Sequence, residues 1–179
     1  FKEIMQKFFT PSWYQEACMP AIITTFEDYL NDYTEVFHPS LREILVEELA
    51  DELLVRYLGA VRNKGAKFRR TDPFTDKIRE DVVAAFDFFK KYPDAFEIAK
   101  EKWRAVSNFS DLLSASKGAE VVEAYSSMKL AYWDVQFGWV EAVLKSRDDF
   151  ERSMMNSVKA AAADISAERG PDTVMSKVR

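Results

Sequence analysis

Two stretches of the chain decide its fold class: ITTFEDYLNDY at residues 23–33 and LADELLVRYLGAVRNKGAKF at residues 49–68. In and just before the second stretch, apolar residues recur every three or four positions, while charged residues occupy the opposite side of the same helix. The apolar side consists of Val46, Leu49, Ala50, Leu53, Tyr57 and Val61, and the polar side of Glu47, Glu48, Asp51, Glu52 and Arg56. This pattern is typical of a bundle helix that has one side in the core and one side in water.

The rest of the chain also favours helices. Hydrophobic residues make up 47% of the 179 residues, and there are only 5 Gly and 6 Pro, which are too few turn residues for a many-stranded β fold. Three pairs have the spacing of a helix capping box: Ser12 with Gln15, Ser40 with Glu43, and Asp94 with Glu97. We therefore predict an all-α antiparallel bundle of about six long helices, at residues 13–37, 40–63, 73–92, 94–116, 119–145 and 147–168.

The helix expected at residues 119–145 differs from the others because it is apolar on two sides. One stripe consists of Val121, Tyr125, Met128, Tyr132, Val135, Trp139 and Ala142, and a second of Leu130, Trp133, Phe137, Val140 and Leu144. A helix with this pattern is enclosed by its neighbours, so we predict that it forms the spine of the bundle.

The domain organisation follows from these boundaries. The chain opens at Phe1 within an apolar pattern, so we expect a piece of a longer protein, with residues 1–12 as the end of a preceding helix and a connection. Residues 13–168 form the helical-bundle domain. Residues 169–179 have no clear periodicity and are expected to be a flexible tail.

Charge and cysteine content narrow the functional classes. The net charge is -5 and the isoelectric point about 5.1, which argues against a nucleic-acid partner. No uncharged apolar run approaches the roughly 20 residues of a membrane span. The single cysteine, Cys18, excludes an internal disulfide and fits the cytosol.

The residues needed for catalysis or metal binding are missing. His38 is the only histidine and precedes Pro39 in an expected turn, and Cys18 has no base near it in sequence. The acidic residues of the second helix lie on its polar side, away from the place where a bundle holds a metal. We predict no catalytic, metal or cofactor site.

Two features could contact a partner. The first is a basic run at residues 62–70, with candidate binding residues Arg62, Lys64, Lys67, Arg69 and Arg70. It could bind an acidic protein surface or anionic lipid, or its cations could simply complement the end of a helix. The second is Phe88, which adjoins Phe89. Two adjacent rings cannot share one narrow side, so either the helix is buried on two sides or Phe88 is exposed for a partner.

The order of these motifs resembles the C-terminal region of the third component of the exocyst, the Sec-six subunit family. The resemblance rests on Trp13, on residues 23–29 with Asp32 and Tyr33, on LADELLVRYL at residues 49–58, on NKGAKF at 63–68, and on Ile78, Asp81 and FDFF at 86–89. It covers roughly residues 13–144.

This resemblance implies the last part of a rod built from tandem helical bundles. It implies a cytoplasmic, non-enzymatic subunit of the exocyst vesicle-tethering complex, recruited to plasma-membrane sites of secretion. The implied partners are other exocyst subunits and SNARE and Sec-one/Munc-eighteen-type proteins. The alternative function is a peripheral membrane module that binds anionic lipid through the basic run. A helical-bundle enzyme has the least support.

Overall fold

The computed structural model describes residues 1–33 and 35–179. The helices are α1 (Lys2–Met5), α2 (Pro11–Gln15), α3 (Cys18–Asp32), α4 (Pro39–Gly59), α5 (Phe74–Phe89), α6 (Pro93–Lys102), α7 (Arg104–Ser114), α8 (Ala119–Ala131), α9 (Phe137–Lys145) and α10 (Arg152–Asp164). Single 3-10 turns lie at Ala60–Arg62 and Val174–Lys177. No β-strand occurs in the described ranges, so the predicted all-α class is confirmed.

The helices pack pairwise into one bundle. Helix α4 lies against α6, α3 against α5, and α7 against α8 and α9. Within the two described ranges, no helix is both long enough and apolar enough to cross a membrane.

The first long helix expected from the sequence is divided into α2 and α3. The division follows from Pro20, because in a continuous helix its ring would clash with the carbonyl of Glu16. Glu16 accordingly adopts an extended backbone, with φ -114° and ψ 150°. Pro20 instead occupies the first turn of α3, where a missing N–H costs nothing.

The helix expected at residues 94–116 bends at Trp103, which lies between α6 and α7. The indole is buried, its Nε1 donates to the Ala50 carbonyl at 3.2 Å, and its ring packs edge-on against Phe89. The bend therefore places the largest side chain of this segment in the core, where its N–H finds a partner.

The predicted spine helix is also divided, into α8 and α9, by a non-helical segment around Tyr132. Its first stripe is buried at Val121, Met128 and Trp139, as expected. The second stripe is not enclosed over α8, because Leu130 is two-thirds exposed. A single enclosed spine is therefore wrong, and of the two pieces α9 alone is apolar on two buried sides.

The core is organised around five rings that we call the aromatic centre: Phe9, Trp13, Tyr57, Phe68 and Phe109, all fully buried. The Phe9 ring lies 5.0 to 5.4 Å, between centroids, from each of the other four. Phe9 has φ +67°, a left-handed conformation that costs a non-glycine residue about 1–2 kcal/mol. Burial of the ring offsets this cost. Met5, Phe8 and Phe9 are thus part of the same core as the helices that follow, although the sequence placed residues 1–12 outside the bundle domain.

The C-terminal segment is packed as well, which corrects the expected flexible tail at residues 169–179. Met175 and Val178 are fully buried, and the 3-10 turn Val174–Lys177 lies against α4. The Thr173 side chain caps this turn by accepting from the Met175 N–H at 3.1 Å.

Candidate functional site

The basic run forms a loop between the 3-10 turn Ala60–Arg62 and helix α5, and we call residues 62–70 the basic loop. All five cations named from the sequence are exposed: Arg62, Lys64, Lys67, Arg69 and Arg70. The five cations thus lie exposed within nine residues of an otherwise acidic chain.

The loop is fixed to the bundle through Phe68, whose ring belongs to the aromatic centre. The Phe68 N–H donates to the Ser146 carbonyl at 2.9 Å, and the Phe68 carbonyl accepts from the Asp148 N–H at 3.0 Å. One residue earlier, the Lys67 N–H donates to the Phe9 carbonyl at 3.0 Å. These bonds join the loop to two segments that are distant in sequence.

The turn within the loop depends on Gly65. Its φ of +87° lies in the left-handed region, which a side chain would disfavour. On one side of this turn, the Asn63 side-chain amide donates to the carbonyls of Met5 and Phe8, at 2.8 and 3.1 Å. Asn63 thus ties the start of the loop to the N-terminal segment.

Two of the five cations have structural partners. The Arg62 guanidinium donates to the Gly138 carbonyl at 3.0 Å. Arg70 pairs with Asp148 at 3.5 Å and lies 4.9 Å from the centroid of the Phe74 ring. For these two residues, a role in holding the loop accounts for the charge.

The other three cations, Lys64, Lys67 and Arg69, form no ion pair with the residues that the structure describes. Lys67 and Arg69 border a hollow of about 300 Å³ between the loop and α2, which Tyr14 and Asp72 also line. An anionic group in this hollow would meet the positive charges of Lys67 and Arg69 and the carboxylate of Asp72.

Tyr14 lines one side of this hollow. Its oxygen is enclosed and has no hydrogen-bond partner among residues 1–33 and 35–179. Burial, and then the charge of Asp72, raise the pKa of Tyr14 to about 12, while Arg69 opposes the increase. Tyr14 is therefore neutral at physiological pH, and its hydroxyl can donate a hydrogen bond.

The other predicted contact residue, Phe88, is not exposed. Its accessibility is only 2%, and its ring packs against Phe26 of α3, at 6.2 Å between centroids, and against Tyr92. Phe89, its neighbour, is buried against Trp103. Helix α5 is thus buried on two sides, which is the other outcome that the adjacent rings allowed.

The residues considered for catalysis have structural roles. His38 is exposed, and its Nδ1 caps α4 by accepting from the Ser40 N–H at 3.2 Å. Cys18 is buried, and burial raises the pKa of its thiol, so it is held in the unreactive protonated form. The described residues contain no cluster of three or more His, Cys, Asp or Glu side chains that could hold a metal ion.

Two buried charged residues, Asp81 and Arg147, were not predicted from the sequence. Asp81 accepts from Trp13 Nε1 at 2.8 Å and from the Tyr57 hydroxyl at 2.7 Å, beside the aromatic centre. Burial raises its pKa from 3.8 to about 6, although both hydrogen bonds oppose the increase. Asp81 falls on the helical register of its apolar neighbours Ile78 and Ala85, and this was the only signal in the sequence.

Arg147 is the second buried charge. Its guanidinium donates to the carbonyls of Leu112 and Ala115, at 2.9 and 2.6 Å, where α7 ends. It also forms a two-point pair with Asp149, at 2.9 and 3.0 Å. The sequence predicted that a helix begins here, whereas Arg147 closes the end of another helix and α10 begins at Arg152.

Comparison with known proteins agrees with this architecture. The family model described as exocyst complex component Sec6 matches residues 1–152. The exocyst complex component sec6 of Schizosaccharomyces pombe is 31% identical over 157 residues, which is 88% of this chain and 21% of that protein. The chain therefore spans about a fifth of the length of this relative.

A solved structure shows the same fold. The crystal structure of the C-terminal domain of the exocyst subunit Sec6p superimposes with a TM-score of 0.78, at 17% identity, over 98% of this chain and 47% of that one. The family match over most of the chain carries the assignment, and the superposition supports the fold. This chain belongs to the Sec6 family of exocyst components.

Proposed function

We propose that this chain is a non-enzymatic part of an exocyst subunit, which acts in exocytosis by presenting protein-binding surfaces on a bundle that does not deform. The observation that supports this most is the family match over residues 1–152. The proposed partners are other exocyst subunits together with SNARE and Sec-one/Munc-eighteen-type proteins. The proposed location is the cytoplasm, with peripheral recruitment to plasma-membrane sites of secretion.

The basic loop is the proposed contact for an acidic protein partner. Lys64, Lys67 and Arg69 need not give up an existing ion pair to bind one, in contrast to Arg70, which is paired with Asp148. Charge pairs of this kind mainly raise the rate and the selectivity of association.

The test is affinity capture of the full-length protein from its own cells, followed by mass spectrometry. One variant reverses three loop charges (Lys64→Glu, Lys67→Glu and Arg69→Glu). A matched variant reverses three exposed cations elsewhere (Arg79→Glu, Lys90→Glu and Lys159→Glu), with the same change in net charge. We expect co-purifying exocyst subunits with the wild-type protein, and loss of at least one acidic partner with the loop variant only.

Two results would contradict this proposal. Capture of the wild-type protein without any exocyst subunit would contradict the function as a whole. Equal binding of all partners by the two variants would contradict the role of the loop while leaving the rest of the proposal intact.

Anionic lipid is the second candidate ligand, because the three unpaired cations could also face a membrane. Each cation near an anionic surface contributes about 1 kcal/mol, so three of them would give only weak attachment without a protein partner. Flotation of the full-length protein with vesicles that contain or lack anionic lipid separates the two ligands. Equal flotation of the loop variant and the matched variant would exclude the lipid function.

A further inference from the structure

The C-terminal end of α3 carries the same pair of residues twice, one helical turn apart: Asp28 followed by Tyr29, and Asp32 followed by Tyr33. All four residues are exposed. Residues four positions apart lie on the same side of a helix, and neighbours in sequence lie about 100° apart around it. The two carboxylates therefore form one stripe, and the two rings form a second stripe beside it.

The two tyrosines begin a row of three aromatic rings. The Tyr29 and Tyr33 rings lie 5.0 Å apart between centroids, and the Phe37 ring stacks on Tyr33 at 5.2 Å. Tyr29 is 47% exposed, Tyr33 39%, and Val36, the residue before Phe37, 74%. Apolar surface gathered in this way usually marks a contact with a partner. We define the acidic aromatic surface as Asp28, Tyr29, Asp32, Tyr33 and Phe37.

The negative charge of this surface is not neutralised within the described part of the chain. Asp28 and Asp32 form no ion pair with residues 1–33 and 35–179, whereas Glu27, the residue before Asp28, is paired with Lys91 at 2.9 Å. In the sequence, residues 8–41 contain no Lys or Arg at all. The two carboxylates are therefore open to cations from another molecule.

The position of these carboxylates is unfavourable for α3 itself. The carbonyl groups at the C-terminal end of a helix carry a partial negative charge, which favours cations in the last turn and disfavours acids. Helix α3 has no basic residue in its last turn, and its final residue is Asp32. Exposed acids at this end lower the stability of the helix, and departures from such local rules are expected at functional positions.

A cationic side chain matches both stripes of this surface. An Arg guanidinium pairs with a carboxylate through two hydrogen bonds and also stacks on aromatic rings, and any cation is attracted by the face of a Tyr ring. Because Asp28 and Asp32 are one turn apart, two cations about 6 Å apart would reach both, which is the spacing of residues i and i+4 in a helix. Nucleic acid and anionic lipid carry the wrong charge for this surface.

We propose that the acidic aromatic surface binds a basic segment of another protein. Two Arg or Lys side chains of that segment pair with Asp28 and Asp32, while its apolar side chains pack on the rings of Tyr29 and Tyr33. None of these residues belongs to the basic loop, so the chain has two contact sites of opposite charge. The inference does not depend on membership of the exocyst.

The test is the binding of a basic peptide to the full-length protein, measured by fluorescence anisotropy at about 150 mM salt. The probe is a fluorescein-labelled amphipathic peptide of about 14 Leu and Arg residues, with Arg at the spacing of one helical turn. A second probe has Glu in place of each Arg. We expect the wild-type protein to bind the Arg peptide and to bind the Glu peptide at least about tenfold more weakly.

The first variant removes the carboxylates, through Asp28→Asn together with Asp32→Asn. Its matched control is Glu123→Gln together with Asp164→Asn, which removes two exposed carboxylates elsewhere. We expect the variant to bind the Arg peptide about fivefold more weakly than the wild-type protein, and the control to stay within about twofold. Because the two acids oppose the dipole of α3, the variant should be no less stable to heat than the wild-type protein, so the weaker binding is not a result of misfolding.

The second variant removes the rings, through Tyr29→Ser together with Tyr33→Ser. Its matched control is Val83→Ser together with Leu130→Ser, at two other exposed apolar positions. We expect the ring variant to bind the Arg peptide about tenfold more weakly than the wild-type protein, and its control to stay within about twofold. If the ring variant is unstable, the carboxylate variant, which keeps every apolar side chain, decides the outcome.

Three outcomes would overturn the proposal. The first is no binding of the Arg peptide by the wild-type protein. The second is equal binding by the carboxylate variant and its control, which would reduce the effect to general attraction by an acidic protein. The third is self-association of the wild-type protein that the carboxylate variant loses, measured by analytical ultracentrifugation, since the occupant would then be a second copy. None of these results would affect the capture of exocyst subunits by the full-length protein.

Discussion

The two ends of this chain are attached to the same bundle by different forces. The N-terminal segment, up to Trp13, is held mainly by ring packing, because Phe8, Phe9 and Trp13 are fully buried. The C-terminal segment buries only smaller apolar groups, of which Met175 and Val178 are the most enclosed.

The C-terminal segment depends instead on hydrogen bonds to the break between α8 and α9. The Thr173 N–H and hydroxyl donate to Asp134 at 2.6 and 2.5 Å, Gln136 donates to the Ser176 carbonyl at 2.9 Å, and Trp133 donates to the Pro171 carbonyl. The break between α8 and α9 thus places polar side chains where they hydrogen-bond to the C-terminal segment. Since water can replace these bonds, the C-terminal segment should open locally, whereas the N-terminal segment should be released only by global unfolding.

Phe9→Ala is the change that should break the ring-packed attachment most strongly. Loss of a fully buried phenylalanine costs about 3–5 kcal/mol, so we expect a reduction of this size in the free energy of unfolding. Urea unfolding followed by tryptophan fluorescence measures it. Phe9→Leu should lose less than half as much, and Val83→Ala, at an exposed site, less than about 0.5 kcal/mol. A small effect of Phe9→Ala would mean that the aromatic centre does not hold this segment.

Arg147→Met tests whether a buried polar residue contributes as much to the free energy of unfolding as a buried aromatic ring. It would leave the carbonyls of Leu112 and Ala115, and the Asp149 carboxylate, without their donor, and we expect a loss of about 3 kcal/mol. Arg147→Lys should recover only part of this, since one ammonium cannot reproduce the two-point geometry. The exposed Arg152→Met is the control for charge. The same urea experiment measures all three, and equal stability of Arg147→Met and Arg152→Met would contradict the role of Arg147.

Asp81→Asn tests the effect of a buried carboxylate on the ring-packed N-terminal attachment, because Asp81 lies beside the aromatic centre. Its pKa is about 6 in the folded chain and 3.8 as its ordinary value, so between these pH values the folded state binds more protons than the unfolded state. The contribution of Asp81 to stability is therefore most favourable below about pH 4, and it is lost as the pH rises through about 6. At 1.36 kcal/mol per pH unit, this loss is at most about 3 kcal/mol at pH 7.

The asparagine variant lacks this titration, so its stability relative to the wild-type chain should rise by up to about 3 kcal/mol between pH 4 and pH 7. Denaturant unfolding at pH 4, 5, 6 and 7 gives the two profiles. Asp87→Asn, on the exposed side of the same helix, should keep the wild-type profile. If the stability of Asp81→Asn changed with pH as steeply as that of the wild-type chain, the pH dependence would come from another group.

Asp134→Ala should have the smallest effect, and a local one. We expect the free energy of local opening of residues 170–179 to fall by about 1–2 kcal/mol. Amide hydrogen exchange should become faster in these residues and stay unchanged in α4. Asp164→Ala, which removes an exposed carboxylate at the end of α10, is the matched control. Faster exchange throughout the bundle would show that the two ends are not attached independently.

The sequence predicted the fold class and much of the core, because burial follows helical periodicity in α4 and α5. It did not predict the breaks at Trp103 and Tyr132, where tertiary partners decide the backbone. The break at Glu16 was also missed, although its cause, Pro20, is local. It located the basic loop, but it could not separate the structural cations Arg62 and Arg70 from the unpaired ones. That distinction depends on Gly138 and Asp148, which lie more than 70 positions away in the chain.

The anchoring of the basic loop through Phe68 has an entropic consequence. The backbone of this loop is already ordered when the protein folds, because its hydrogen bonds to the Phe9 and Ser146 carbonyls form together with the core. A ligand that engages Lys64, Lys67 and Arg69 would thus restrict only their side chains, at about 0.5–1.5 kcal/mol each, without the further cost of ordering a nine-residue segment. Part of the conformational cost of binding has been met in advance, by folding.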